Sequence, residues 1–280
     1  MTARVLSAPS RRAPGGLSGL PGGVWGELLH RQRTLTLFAA AMLLAMLPAL
    51  LALGLDDRLL RGVSVWVKPL KFMSSVALFA LSTAWFVGLL PQARRGSRAV
   101  RTVVGIIVGF GTVEVAYIAL QAALGQASHY SRVDLLHVIA YQIMGAGALA
   151  LMATQLVLAR EIARQSAPEV APVWRDAVVL GLVMTFVLGV GAAAPLSLVQ
   201  PPSGAGLPFL GWHLDGGDLR PAHFIGSHAQ QFVPLAGWLI ARRWPRHGRA
   251  LLAIAALALT ALWLAAMWRG LQGAVFLPPG

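Results

Sequence analysis

The chain contains 21 arginines but only two lysines, Lys68 and Lys71. Both stand in Trp66-Val67-Lys68-Pro69-Leu70-Lys71-Phe72, at a spacing that puts them on one face of a helix. A compact ammonium holds an anion or gives up its proton on burial, which a guanidinium does not. Glu114 lies in the middle of an apolar run, with Tyr117 and Gln121 following at i+3 and i+7. A carboxylate in such a run needs a partner or a proton. It can therefore serve as acid/base, as ligand, or as ion-pair partner of Lys71.

Histidines supply the other chemistry. His129 sits in Ser128-His129-Tyr130, and His137 leads Tyr141 and Met144 at i+4 and i+7. A polar segment from Gly211 to Gln231 adds His213, Asp218, Arg220, His223, Ser227, His228 and Gln231. Asp218 with Pro221 reads as a helix start. His129, His137, His223 and His228 are the candidate ligands of a transition metal or a single haem b. His223 and His228 point about 140° apart on a helix, so other helices must complete such a site. Cysteine is absent, which excludes disulfides, Fe–S clusters and thiolate chemistry.

The elements that must position these residues are long and apolar. The 280 residues are 57% hydrophobic and 12% charged, far less charged than a soluble domain. Seven runs, at about 35–55, 67–90, 102–123, 135–159, 177–199, 221–241 and 251–268, suit the roughly 20 residues that a helix needs to cross a bilayer. The sequence therefore predicts an all-α fold, a polytopic membrane protein built as a seven-transmembrane-helix bundle (residues 35–268). A basic, disordered tail precedes it over 1–34 and a short external tail follows over 269–280. Trp25, Leu28 and Leu29 beside Arg31 and Arg33 suggest a short interfacial helix within the first tail. Pro48 and Pro234 are expected to kink helices 1 and 6. Gly105 and Gly109, with Gly145, Gly147, Gly181, Gly189 and Gly191, offer small surfaces for close helix packing.

Arginine orients the bundle. Sixteen arginines fall before helix 1 and in the alternate loops at 94–101, 160–175 and 242–249, against Arg58, Arg61, Arg132, Arg220 and Arg269 on the other side. The basic side belongs inside, so the N-terminus is cytoplasmic and the C-terminus external. In a soluble chain a net charge of +13 would suggest nucleic acid. Here the arginines alternate with apolar runs, and no nucleic-acid partner is expected. Both lysines, all three tyrosines and His129, His137, His213, His223 and His228 then converge on the outer half. The expected partners are the lipid bilayer and a small anionic or quinone-like ligand.

Three stretches, Trp66-x-Lys68-Pro69-x-Lys71-Phe72, Ser128-His129-Tyr130 and Gly217-Asp218-Leu219-Arg220-x-x-His223-Phe224-x-Gly226-x-His228-x-x-Gln231, resemble an uncharacterised family of bacterial seven-helix integral membrane proteins. The resemblance covers helices 2 to 6. It implies a bacterial cytoplasmic (inner) membrane and carries no activity with it. Seven-helix zinc hydrolases of the ceramidase type are similar in helix count, but their Ser-x3-His pair does not occur here.

Three functions follow as expectations. The first is a metal- or haem-binding membrane enzyme or redox protein with Glu114, Lys71 and His228 as catalytic groups. In it Lys68, Tyr117, Gln121, Tyr141, Arg220 and Gln231 hold the substrate. The second is a proton-coupled carrier in which Glu114 titrates. The third is a ligand-binding sensor or assembly protein without catalysis.

Overall fold

The computed structural model describes residues 23–131, 133–208 and 210–276. The described chain is all-α apart from one two-residue hairpin and an isolated bridge between Val199 and Phe276. In order, the elements are α1 (Gly23–Arg31), α2 (Arg33–Leu55), β1 (Leu59–Leu60), β2 (Val63–Ser64), α3 (Val67–Val87), α4 (Arg98–Ala123), α5 (Leu135–Gln165), α6 (Pro172–Leu196), α7 (Arg220–Ser227), α8 (Ala229–Arg243) and α9 (Gly248–Leu271).

Local signals start the helices. The Ser97 hydroxyl accepts the Val100 N–H at 3.3 Å and opens α4, and the Asp134 carboxylate accepts the His137 N–H at 2.9 Å and opens α5. Each satisfies an amide with no partner inside its helix. Pro172 occupies the first turn of α6, where its missing N–H costs little. The β1–β2 hairpin turns through Arg61 and Gly62, both at positive φ (55° and 80°), as a tight two-residue turn requires.

Among the described residues six helices are long and apolar enough to cross a membrane: α2 through α6, and α9 together with the turn before it. The expected seventh, at 221–241, is not continuous. It breaks at His228 into the 8-residue α7 and the 15-residue α8. The break comes well before Pro234, where a kink was expected, and α8 runs through that proline. Gly226 lies so close to α6 that a Cβ there would sit 2.5 Å from the Leu188 carbonyl carbon. One turn on, the Gln230 N–H leaves the helix and donates to Thr185 Oγ1 of α6 at 2.7 Å. A neighbouring side chain thus satisfies the amide freed by the break.

Helix neighbours follow chain order from α2 to α6, and α9 lies against α6, α7 and α8. The largest core joins the start of α2, the end of α3, the start of α4, the end of α5 and the start of α6, with Leu35, Val87, Val100, Ile107, Ile162 and Leu182 fully buried. Those termini share one end of the bundle and adjoin its arginine-rich loops, hence "the basic end". A smaller core of Ala49, Met73 and Val115 lies toward the other end.

Two expectations change here. Helix begins at Gly23, with Leu28 buried in the main core, so the disorder expected through residue 34 does not reach that far. Residues 1–22, Arg132, Phe209 and residues 277–280 lie outside the described residues. Close packing does not use Gly105, Gly109 or Gly145, whose missing side chains would meet open space. It uses Gly147, Gly181 and Gly191, which face Phe110, Pro234 and Trp263.

Candidate functional site

The site lies at the end opposite the main core, where α3 starts and α4 stops. Lys68 enters from the first turn of α3 and Glu114 from the last third of α4. Glu114 is 9% exposed, and the two side chains lie within electrostatic range of each other. Among the described residues neither makes a direct hydrogen bond or ion pair. The Lys68 ammonium also stands 5.8 Å from the Phe72 ring centroid, a cation–π arrangement.

His129 closes the group from the segment between α4 and α5. Its Nδ1 lies 3.2 Å from Ser128 Oγ. Its ring packs against Phe72, Tyr130 and Tyr141 at centroid distances of 5.8, 6.4 and 5.6 Å. Burial, with the Lys68 charge acting in the same direction, pushes its pKa down to about 3. The imidazole is therefore neutral, able to donate through one nitrogen and accept through the other. Tyr130 adopts a positive φ of 59°, an uncommon conformation for a bulky side chain. Its hydroxyl donates to the Leu196 carbonyl at 2.6 Å, and that of Tyr141 donates to Ser197 at 3.0 Å. Both phenols thus serve carbonyls at the end of α6 that have no helical partner, and burial pushes the Tyr130 phenol up.

The two lysines part company. Lys71 donates to the Leu210 carbonyl at 2.7 Å and lies near Asp218 and Arg220. The cation within electrostatic range of Glu114 is thus Lys68, not the expected Lys71. Arg220 is also committed, with Nε 2.8 Å and Nη2 2.6 Å from the Asp218 carboxylate. Asp218 accepts the backbone N–H groups of Arg220 and His213 as well. Burial opposes ionisation of Asp218, but these bonds outweigh it and hold the carboxyl below its ordinary range.

The four histidines expected to share a metal are not assembled. His137 turns back to the Asp134 carboxylate at 2.8 Å and reaches Gln126 at 3.4 Å. His223 uses both nitrogens, on the Gly189 carbonyl at 3.2 Å and Ser227 Oγ at 3.3 Å. His228 stacks on Phe224 at 4.2 Å and lies within electrostatic range of His223 alone among the histidines. Among the described residues no three His, Asp or Glu side chains stand together as a metal's ligands. These four histidines therefore do not form the shared metal site expected from the sequence.

Of the remaining candidates, Gln121 donates to the Tyr117 hydroxyl at 3.2 Å, and Gln231 donates to Ser82 Oγ at 2.9 Å. Neither pair belongs to the Lys68–Glu114–His129 group through a direct bond. Sequence reasoning missed how the loop between α6 and α7 is held against the start of α3. The segment 197–219 is tied down by Lys71 on Leu210, by Arg61 on the Pro201 carbonyl at 2.6 Å and Ser203 at 3.1 Å, and by the Gly217 N–H on the Gln272 carbonyl at 2.7 Å. Its signal was the run of Pro201, Pro202, Gly204, Gly206, Pro208 and Gly211, which marks a loop but not what holds it. Another missed contact is Trp66 Nε1 to Asp56 at 2.8 Å, which anchors the start of α3 to the end of α2. Compared with family models, curated proteins and solved structures, the chain matches none.

Proposed function

We propose that this chain is a multi-pass protein of a bacterial cytoplasmic membrane, with the basic end inside and the α7–α8 pair serving as a seventh crossing. Its external end binds a small anionic or quinone-like molecule and performs acid–base chemistry on it. The membrane reading is supported by leucines that stand exposed on α2, such as Leu44, Leu47 and Leu51, and by exposed Ile254, Leu257 and Trp268 on α9. Water would penalise that surface, and lipid would not.

One observation carries the site: a lysine and a glutamate from adjacent helices, Glu114 buried and Lys68 partly so, lie within electrostatic range of each other and make no direct hydrogen bond or ion pair among the described residues. Such a pair is costly unless a third group completes it. A carbonyl or anionic oxygen between them takes a hydrogen bond from Lys68, while Glu114 gives or takes the proton that the ligand exchanges. Neutral His129 has a free ring nitrogen on the same side to orient the ligand. Lys71 and Arg220 already have acceptors, so they hold the α6–α7 loop instead of the ligand.

The test is calorimetric titration of the detergent-purified protein with a short-chain benzoquinone and, separately, with inorganic phosphate. The expected result is saturable binding of one probe that weakens at least tenfold in both Glu114→Gln and Lys68→Met. Equal binding by wild type and both variants, or binding of neither probe, would overturn the proposal.

A proton-coupled carrier is the second reading, favoured by the helix break at His228, since discontinuous helices line many transport sites. It requires a route through the main core. Proteoliposomes in which Glu114→Gln abolishes solute-dependent proton flux would establish it.

A further inference from the structure

The second candidate site lies on the lipid-facing side of the proposed membrane domain and rests on that membrane reading. Where α8 meets α9, the small residues Ala236, Ala255 and Ala258 keep the helices from filling the space between them. Two adjoining clefts of 380 and 350 Å³ result, meeting at Ala255. They run from Trp244 and His247 at the basic end to Leu262. From His247 to Leu262 is about 22 Å of helix, more than the roughly 15 Å that one leaflet contributes to the hydrocarbon core. Apart from His247 at the mouth, the lining is apolar.

The mouth carries a concentrated positive charge. Arg242, Arg243, Arg246 and Arg249 all fall within eight residues of the turn between α8 and α9. Arg242 lies over the Trp238 ring at 4.8 Å, and Arg249 pairs with Asp176 at 3.2 Å. Asp176 is the acidic group that faces this turn, and Arg175 also holds it, at 2.7 Å. Arg243 and Arg246 are exposed and make no hydrogen bond or ion pair among the described residues. An apolar slot one leaflet deep, opening beside two uncommitted guanidiniums, matches one molecule in both shape and charge.

We propose that the α8–α9 cleft is a binding site for an anionic phospholipid of the inner leaflet, with an acyl chain in the cleft and the phosphate on Arg243 and Arg246. Two guanidiniums suit a phosphate because each presents a planar fork of donors. Trp244 lines the cleft beside the headgroup, so its fluorescence reports occupancy.

The experiment places the full-length protein in phosphatidylcholine nanodiscs doped with brominated phosphatidylglycerol or brominated phosphatidylcholine. Subtracting the signal of Trp244→Phe isolates Trp244 from the other tryptophans. The expected result is quenching of Trp244 at a roughly tenfold lower fraction of the anionic lipid than of the neutral one. That preference should vanish in Arg243→Gln/Arg246→Gln, with quenching of the remaining tryptophans unchanged. Equal quenching by both lipids would overturn the proposal in favour of ordinary boundary lipid. Quenching of other tryptophans but not Trp244 would overturn it in favour of a protein occupant, such as a second copy of the chain. If neither lipid quenched any of the nine tryptophans, the membrane reading itself would fail, which is a distinguishable outcome.

Discussion

The two ends of the bundle treat charge in opposite ways. At the basic end Arg31 and Arg95 finish a helix. Arg31 bonds Glu27 at 2.8 Å and the Trp85 carbonyl at 2.9 Å, and lies 4.0 Å from the Trp85 ring centroid. Arg95 reaches the Leu90 and Gly88 carbonyls at 3.1 and 3.0 Å. These acceptors lie at or just past the end of α3, where free carbonyls concentrate negative partial charge. Glu161, 5% exposed, is held by Arg94 at 3.2 Å. Beneath them lies the main apolar core.

At the other end buried Glu114 and half-buried Lys68 make no direct hydrogen bond or ion pair among the described residues, and Arg61 and Tyr130 hold positive φ. The lesson is that ionisable residues alone do not mark a site in a membrane bundle. What separates the ends is how the buried carboxyl is met: Glu161 at the basic end is held by Arg94, whereas Glu114 makes no direct hydrogen bond or ion pair among the described residues. Unmet polar groups and backbone strain tend to persist only where the surrounding structure imposes them.

Perturbing either end should expose the contrast. The largest effect is expected from Ile162→Ala, which hollows the fully buried basic-end core. It should cost about 2–5 kcal/mol, read from the unfolding midpoint in a detergent titration.

Next comes acid. His129 has a folded pKa of about 3 against an ordinary 6.5, so between those values the unfolded chain takes a proton that the folded chain refuses. The stability is therefore whole above pH 6.5 and is lost as pH falls. The expected loss is about 2 kcal/mol by pH 5. The same titration on His129→Gln should lack that slope, and an unchanged slope would show that the imidazole is hydrated.

Arg31→Ala should cost about 1–3 kcal/mol, because it strips the Trp85 carbonyl and Glu27 of their donor. Limited proteolysis should then release α1 first. The smallest effect belongs to Glu114→Gln, expected within about 1 kcal/mol of wild type or slightly more stable, since it removes a buried charge. A loss as large as that of Ile162→Ala would mean that Glu114 is a structural group and that the two ends do not differ as argued.

Much of this was legible beforehand. The long apolar runs indicate α2 through α6 and α9. The convergence of Lys68, Glu114, His129 and the tyrosines could be anticipated because helices of similar length, alternating in direction, bring residues of like depth together. Which lysine reaches Glu114 could not. Lys68 and Lys71 differ by only about 60° around α3, so a small rotation decides between them, and helix packing sets that rotation. The four histidines were not brought together for a related reason. Spacing indicates which face a histidine occupies, but His137 found its acceptor in its own helix cap and His223 in the Gly189 carbonyl.

Residue types and their periodicity by themselves determined the helical class, the apolar spans and the uneven sharing of arginine, since each depends on hydropathy and local capping. The break at His228, the approach of Lys68 to Glu114 and the anchoring of the α6–α7 loop were decided only by tertiary structure. Each depends on contacts between segments far apart in the chain: Gly226 against Leu188, Gln230 on Thr185, and Lys71 on Leu210. Their geometry exists only once the helices have packed.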